Sequence, residues 1–228
     1  MNFAPFISRW LQTKHNMKLN IPKAASQLLF ALLLTLPMLA WGQASGWKQT
    51  TAKNGKVQLK YKVEALQGNE DAVMAEYWVK GTVNVRLDKA EKFLRSSANY
   101  KTFLDNTVVS KTVSTISASE WLIYLFMDVP WPMPNADCVQ QVSVSRTAKE
   151  LVITAIAKPN AYPLQGEERM SISDSKYHFV ENAAGVVELT ITGKFAPKGP
   201  ITKLMLETWF PAGPVQLLDR LVQQINAQ

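Results

Sequence analysis

Beyond residue 44 the chain alternates apolar and polar positions over long stretches. In "KVQLKYKVEA", Val57, Leu59, Tyr61 and Val63 alternate with lysine and glutamine, the period of a strand with one buried face. The Asn54-Gly55 pair just before it is a turn signal. "AEYWVKGTVNVRL" continues in strand character with Tyr77, Val79, Val83 and Val85. At Asp88 the period changes. Asp88 with Glu91 three residues on resembles a capping box, and Ala90, Phe93, Leu94 and Ala98 follow at helical spacing. This predicts a helix from Asp88 to about Ser97, with "NYKTFLDN" as a second short turn.

Six β-like runs follow: "TVVSKTVSTI", "EWLIYLFMDV", "DCVQQVSVSRT", "ELVITAIAK", "RMSISDSKYHFVEN" and "GVVELTITGKF". Breaks at residues 117–119, 130–134, 147–149, 159–166 and 182–185 separate them, so the expected arrangement is an antiparallel meander. "ITKLMLETWF" then reads as helix, "PAGP" interrupts it, and "VQLLDRLVQQI" resumes with Val215, Leu218, Val222 and Ile225 on one stripe and Leu217 and Leu221 beside it. The fold class is α+β: a long antiparallel sheet curls and its concave face is covered by the amphipathic C-terminal helix. "WLIYLFM" is apolar at every position, so one face should meet the enclosed interior and the other a neighbouring element. The prolines after it deny a continued ladder and force a corner.

The first 44 residues stand apart. Residues 28–41, "LLFALLLTLPMLAW", follow Lys18 and Lys23, and small residues stand at the end of the run and after it, Ala40, Gly42 and Ala44, the order of a secretory signal peptide. A retained membrane anchor is the alternative, although Thr35 and Pro37 shorten the apolar run below the roughly 18 to 20 residues that span a bilayer. Met17, followed by Lys18, is the more natural start of such a leader. The remaining residues 45–228 form one domain, exported and expected in a periplasm.

Removing the leader changes the charge. The net charge of +7 comes from 25 basic and 18 acidic residues; Arg9, Lys14, Lys18 and Lys23 lie in the leader with no acid, so +3 remains. That mild, scattered excess does not make a nucleic-acid footprint. The lysine-rich "KNGKVQLKYK" region reads as an edge guarded by charge, with anionic-membrane contact as the alternative. Cys138 is the only cysteine, so no internal disulfide forms and stability must come from packing. Its neighbours "NADCVQQ" offer no adjacent histidine or cation to activate a thiolate, and it reads as a buried small residue.

In this order, the words at the corners carry a resemblance. Over residues 47–226 the chain resembles a START domain, the steroidogenic-acute-regulatory-protein-related lipid-transfer family within the Bet v 1-like, helix-grip superfamily. Family members often have an aromatic-rich strand, then Pro-Trp-Pro, then an Arg-Asp pair opening the next strand. Here those places hold Pro130, Trp131 and Pro132, then Ala136 with Asp137, so the arginine of that pair is missing. Arg169 and Tyr177 stand where the family has an arginine and an aromatic strand, and "APKGPITKLMLETWFPAGPVQLLDRL" resembles the passage into the lid helix.

The resemblance implies a monomeric domain that binds, and can transfer, a lipid, sterol or related hydrophobic molecule in an apolar tunnel between sheet and helix, without a cofactor. Candidate wall residues are Tyr77, Trp121, Tyr124, Phe126, Leu189 and Ile191 from the sheet, with Met205, Trp209 and Leu217 from the lid. Arg169 is the candidate polar anchor, its guanidinium fork suiting a phosphate or carboxylate; a structural ion pair with an acid such as Asp128 is the other reading. Pro211, Gly213 and Pro214 should break the last helix, and that break with the 159–168 loop either moves to admit ligand or forms a fixed kink.

Catalytic signals are sparse. Besides His15 in the leader there is only His178, with no cysteine or second histidine beside it to make a metal site. No nucleophile elbow, phosphate loop or zinc-protease motif occurs, and the adjacent Glu167 and Glu168 would point to opposite faces of a strand. An enzyme acting on a hydrophobic substrate, of cyclase or hydrolase type, and a cell-envelope interaction module remain the alternatives to a ligand carrier.

Overall fold

The structure is a computed structural model and describes residues 46–131 and 133–228. The signal-peptide reading and the reading of Pro132 lie outside the described residues. The strands are β1 (Lys48–Ala52), β2 (Val57–Leu66), β3 (Asn69–Val83), β4 (Thr107–Ser117), β5 (Glu120–Met127), β6 (Ala136–Arg146), β7 (Glu150–Ala157), β8 (Glu168–Arg169), β9 (Ser173–Glu181) and β10 (Val187–Phe195). Helix α1 (Leu87–Arg95) and a 3-10 turn (Ser97–Thr102) separate β3 from β4, and α2 (Lys203–Glu207) and α3 (Ala212–Asn226) close the chain.

One ten-stranded sheet carries the order β1-β2-β3-β10-β9-β7-β6-β5-β4, with β8 added in parallel to β6. Two antiparallel meanders are thus joined where β10 pairs with β3, from Val187 opposite Val83 to Phe195 opposite Ala75. The period-two pattern puts Leu59, Ala75, Val79, Leu151, Ile153, Tyr177, Phe179, Leu189 and Ile191 on the inner face, all essentially inaccessible to water. Against them α3 lays Leu217, Leu218, Leu221 and Ile225, and α1 adds Leu87, Ala90, Phe93 and Leu94. Burial of this kind stabilises by about 1.5 to 3 kcal/mol for each large apolar side chain.

Several expectations differ from the structure at element ends. α1 begins at Leu87 without a side-chain cap, because Asp88 is drawn instead into a two-pronged bond with Arg86, at 3.0 and 2.8 Å. The last helical passage also divides differently. Thr202 Oγ1 accepts from Met205 N to start α2, which ends at Glu207, and the chain turns through Thr208 and Pro211 before α3 begins. Gly213 and Pro214 sit inside the first turn of α3, where the missing proline donor is one the helix would leave unpaired anyway. β1, short and largely exposed, gave no periodic signal. Among the described residues no helix is long and apolar enough to cross a membrane.

Candidate functional site

β5 decides where the site lies. Its alternation places Trp121, Ile123, Leu125 and Met127 on the inner face and Leu122, Tyr124 and Phe126 on the outer one. Leu125 and Met127, together with Cys138 of β6, Tyr177 of β9, Tyr77 of β3 and Leu217 of α3, wall an inner chamber of about 160 Å³ beneath the helix. A larger mouth of about 650 Å³ opens outward from it. Its rim is made by the β5–β6 corner with Val129, Met133 and Pro134, the β10–α2 link with Ile201, and α2 with Leu204 and Met205. Asp105, Met127, Met170, Phe195 and Trp209 line both spaces and form a collar between them.

Aromatic packing fixes one side of that collar. Trp209 meets Phe195 edge-on at 5.5 Å, Tyr77 at 5.6 Å and Phe210 at 4.9 Å, and Phe210 stacks on Tyr61 at 4.3 Å. Two glycines make this possible. Gly193 faces Tyr77 across the β10–β3 ladder, and a Cβ there would lie 2.2 Å from the tyrosine ring; a Cβ on Gly213 would lie 1.9 Å from the Trp209 indole.

The charges at the site are few. Asp105 is paired with Arg220 of α3 at 2.6 Å, and Arg220 Nε also donates to the Phe103 carbonyl at 3.1 Å. The other charged wall residues are Asp174, which borders the chamber and whose carboxylate accepts from Ala157 N at 2.8 Å, and Lys198, at the mouth. Cys138 is buried, and desolvation pushes its thiol from the ordinary 9.0 up to about 12 against a hydrogen bond from Ser173 that acts the other way. Burial likewise lifts Tyr177 from 10.0 to about 12. An unfolded chain gives up these protons near the ordinary values, so between about pH 9 and 12 the native state holds protons that the unfolded state has lost. Stability must then fall as pH rises through that window. The expected result is a thiol that maleimide does not label at neutral pH until denaturant is added, and an alkaline loss of stability whose early part weakens in Cys138→Ser. Rapid labelling of the native protein would contradict this account of the chamber.

The ten sequence-derived candidates divide three ways. Tyr77, Trp209 and Leu217 border the inner chamber, and Trp209 and Met205 border the mouth. Leu189, Ile191 and Trp121 face inward but are packed into solid core, Trp121 with Arg95 over its ring at 6.0 Å. Tyr124, Phe126 and Arg169 are turned to the outer face. Tyr124 packs there on Tyr162 at 5.5 Å, beneath the 159–168 loop.

Arg169 is not placed to anchor a ligand in the chamber. Its Nε and Nη2 donate to the two carboxylate oxygens of Asp137 at 2.6 and 2.8 Å, and its remaining donors reach the carbonyls of Pro159, Tyr162 and Pro163. The acid in the ion pair is therefore Asp137 rather than Asp128, which is exposed. The 159–168 loop is held to the outer face by these bonds, away from the mouth. His178 is also on the outer face, 2.6 Å from Glu150. Among the described residues no group of three or more histidine, cysteine, aspartate or glutamate side chains is arranged to hold a metal ion.

The collar residues Met127, Met170, Phe195 and Asp105 were missed. Met127 was within reach, since it shares the parity of Trp121 on β5; the others depend on how distant loops meet. A further hollow of about 790 Å³ lies on the outer face, between Trp47, Lys60, Trp78 and Ile156. The ion pair of Glu76 with Lys194 lies in its wall, and it shares Tyr77, Asp174, Ser175 and Gly193 with the inner chamber.

A curled antiparallel sheet closed by a C-terminal helix over an apolar chamber has direct counterparts among solved structures. The STAR-related lipid transfer protein of Xanthomonas axonopodis superposes with a TM-score of 0.65 over 79% of this chain and 99% of its own, at 18% identity. This is the START fold. Human STARD10 matches with a TM-score of 0.65 at 14% identity, covering 92% of this chain and 82% of its own. Human StAR-related lipid transfer protein 5 matches at 0.64 and 15%, covering 90% and 97%. No family model matches the sequence, and a search of curated proteins finds no relative. Within the START fold, the place where the family often has the arginine of its Arg-Asp pair is taken by Ala136, which faces the mouth.

Proposed function

We propose that this domain binds an uncharged hydrophobic molecule in the grip and carries it through water. The carrying observation is a mouth and chamber with largely apolar walls in which Asp105 is already paired with Arg220, Asp174 already accepts from Ala157 N, and Arg169 is turned outward. Each buried methylene of a ligand contributes about 0.8 kcal/mol, so binding needs no cationic anchor. A carboxylate or phosphate buried in the inner chamber, which Asp105 and Asp174 line and Lys198 does not, would lack a compensating partner. The START neighbours, whose names record lipid transfer, support the same class of cargo.

The mouth also carries the apolar surface that contact with a membrane requires. Trp131 on the β5–β6 corner is 92% exposed, and Leu204 on α2 is 73% exposed; tryptophan suits the boundary between headgroups and hydrocarbon. Cargo would pass there between bilayer and chamber. The leader-like order of residues 28–41 supports an exported, periplasmic setting, and the reading of a carrier rather than an enzyme is supported by the inert Cys138 and the remote His178.

Native mass spectrometry of the domain purified from its own host, followed by organic extraction, tests this directly. The expected spectrum shows a defined neutral lipid at one-to-one stoichiometry. In a vesicle assay with phosphatidylcholine donors and acceptors, Trp131→Ala should slow transfer of that lipid without weakening its binding. An empty spectrum, with no uptake from a mixed lipid extract, sinks the proposal; retention of fatty acids in preference to neutral lipids sinks its charge argument.

A further inference from the structure

We infer that Trp209 is a length-determining residue: the collar admits the end of an unbranched alkyl tail into the inner chamber, and the indole sets how far that tail can go. The inference rests on the hydrophobic-ligand reading above and narrows it to cargo with at least one slender tail.

The two sides of the collar differ in stiffness. Trp209 is held by Phe195, Tyr77 and Phe210 around its edge and by Gly213 at its back, where even a Cβ would collide with the ring. Its backbone is tied in as well, the Trp209 carbonyl accepting from Gly213 N at 2.8 Å. The collar also holds Met127 and Met170, unbranched side chains that adapt to what passes them. A passage with one fixed aromatic wall and one yielding thioether wall suits a flexible chain better than a rigid fused-ring system. Beyond it lies the chamber of about 160 Å³, walled by Cys138, Tyr177 and Leu217 and, on the side it shares with the outer hollow, by Tyr77, Asp174, Ser175 and Gly193. The mouth, at about 650 Å³, holds the bulk of the ligand, so the chamber is a terminal socket with a definite end.

The test uses displacement of the neutral dye N-phenylnaphthylamine by a homologous series of saturated monoacylglycerols, from capryloyl to arachidoyl. In the unaltered protein each added methylene that finds room should tighten binding about fourfold, until a limiting length beyond which the gain stops. Trp209→Ala should move that limit to longer chains and Trp209→Phe should move it less. Cys138→Met, which fills the socket, should move it to shorter ones. Leu204→Ala, at the mouth only, should weaken the whole series without moving the limit. A limit that stays in place in the Trp209 variants and in Cys138→Met overturns the inference. If Trp209→Ala does not fold, as circular dichroism would show, Trp209→Phe and Cys138→Met decide it in the same way. An unaltered protein from which no monoacylglycerol displaces the dye would instead remove the ligand reading itself.

Discussion

Arg169→Ala is expected to lower the stability of the domain by about 3 to 5 kcal/mol, the usual cost of leaving one partner of a buried ion pair alone. The Asp137 side chain is fully buried and that of Arg169 is 5% exposed, so water cannot replace the lost guanidinium. The same change releases three backbone carbonyls, those of Pro159, Tyr162 and Pro163, and the 159–168 loop should exchange its amide hydrogens faster. Arg169→Lys should recover little, because a single ammonium cannot span both carboxylate oxygens and the loop. The double variant Asp137→Leu with Arg169→Met should be more stable than either single loss, since no unpaired charge remains. Urea denaturation gives the answer, and a loss below about 1 kcal/mol for Arg169→Ala would show that the pair is not holding the outer face as described.

Gly193→Val is the second large effect. A Cβ at that position would sit 2.2 Å from the ring of Tyr77, so the tyrosine must leave the β10 backbone on which it lies. On the inner face the space beside it is the chamber, next to Trp209, with which it is already in edge contact at 5.6 Å. Overpacking of this kind costs about 1 to 3 kcal/mol, and the displaced ring should occupy the chamber. The melting temperature should therefore fall, and binding of long-chain monoacylglycerols should weaken more than binding of short ones. Tyr77→Ala in the Gly193→Val background should restore much of the binding by removing the clashing ring. Unchanged melting and an unchanged chain-length profile in Gly193→Val would show that the ring is free to go elsewhere.

Much of the fold was legible in the chain because period two and period 3.6 are local signals. The run from Val57 became a strand with the expected alternation, those from Glu120, Glu150 and Val187 became strands, and the stripe of Val215, Leu218, Val222 and Ile225 with Leu217 and Leu221 beside it became the gripping helix. Capping at Asp88 failed as a signal because its carboxylate had a nearby arginine to bond instead. For the site, the sequence offered the right kinds of residue but not their side. In a strand apolar at every position, such as "WLIYLFM", either parity is compatible with burial. Tyr124 and Phe126 were thus as credible as Leu125 and Met127 until the strand was paired.

By itself, then, the sequence determined the succession of strands, the amphipathic closing helix, the proline corner and the lack of a disulfide, each from residues close together in the chain. The tertiary structure alone decided which face of β5 turns inward, that Arg169 serves Asp137 from 32 positions away, and that Met127, Met170, Phe195, Asp105 and Trp209 meet in one collar. The physical reason is that a chamber is space left over when distant side chains fail to fill the gap between two surfaces. That remainder depends on how sheet and helix are seated against each other, and no local period encodes it.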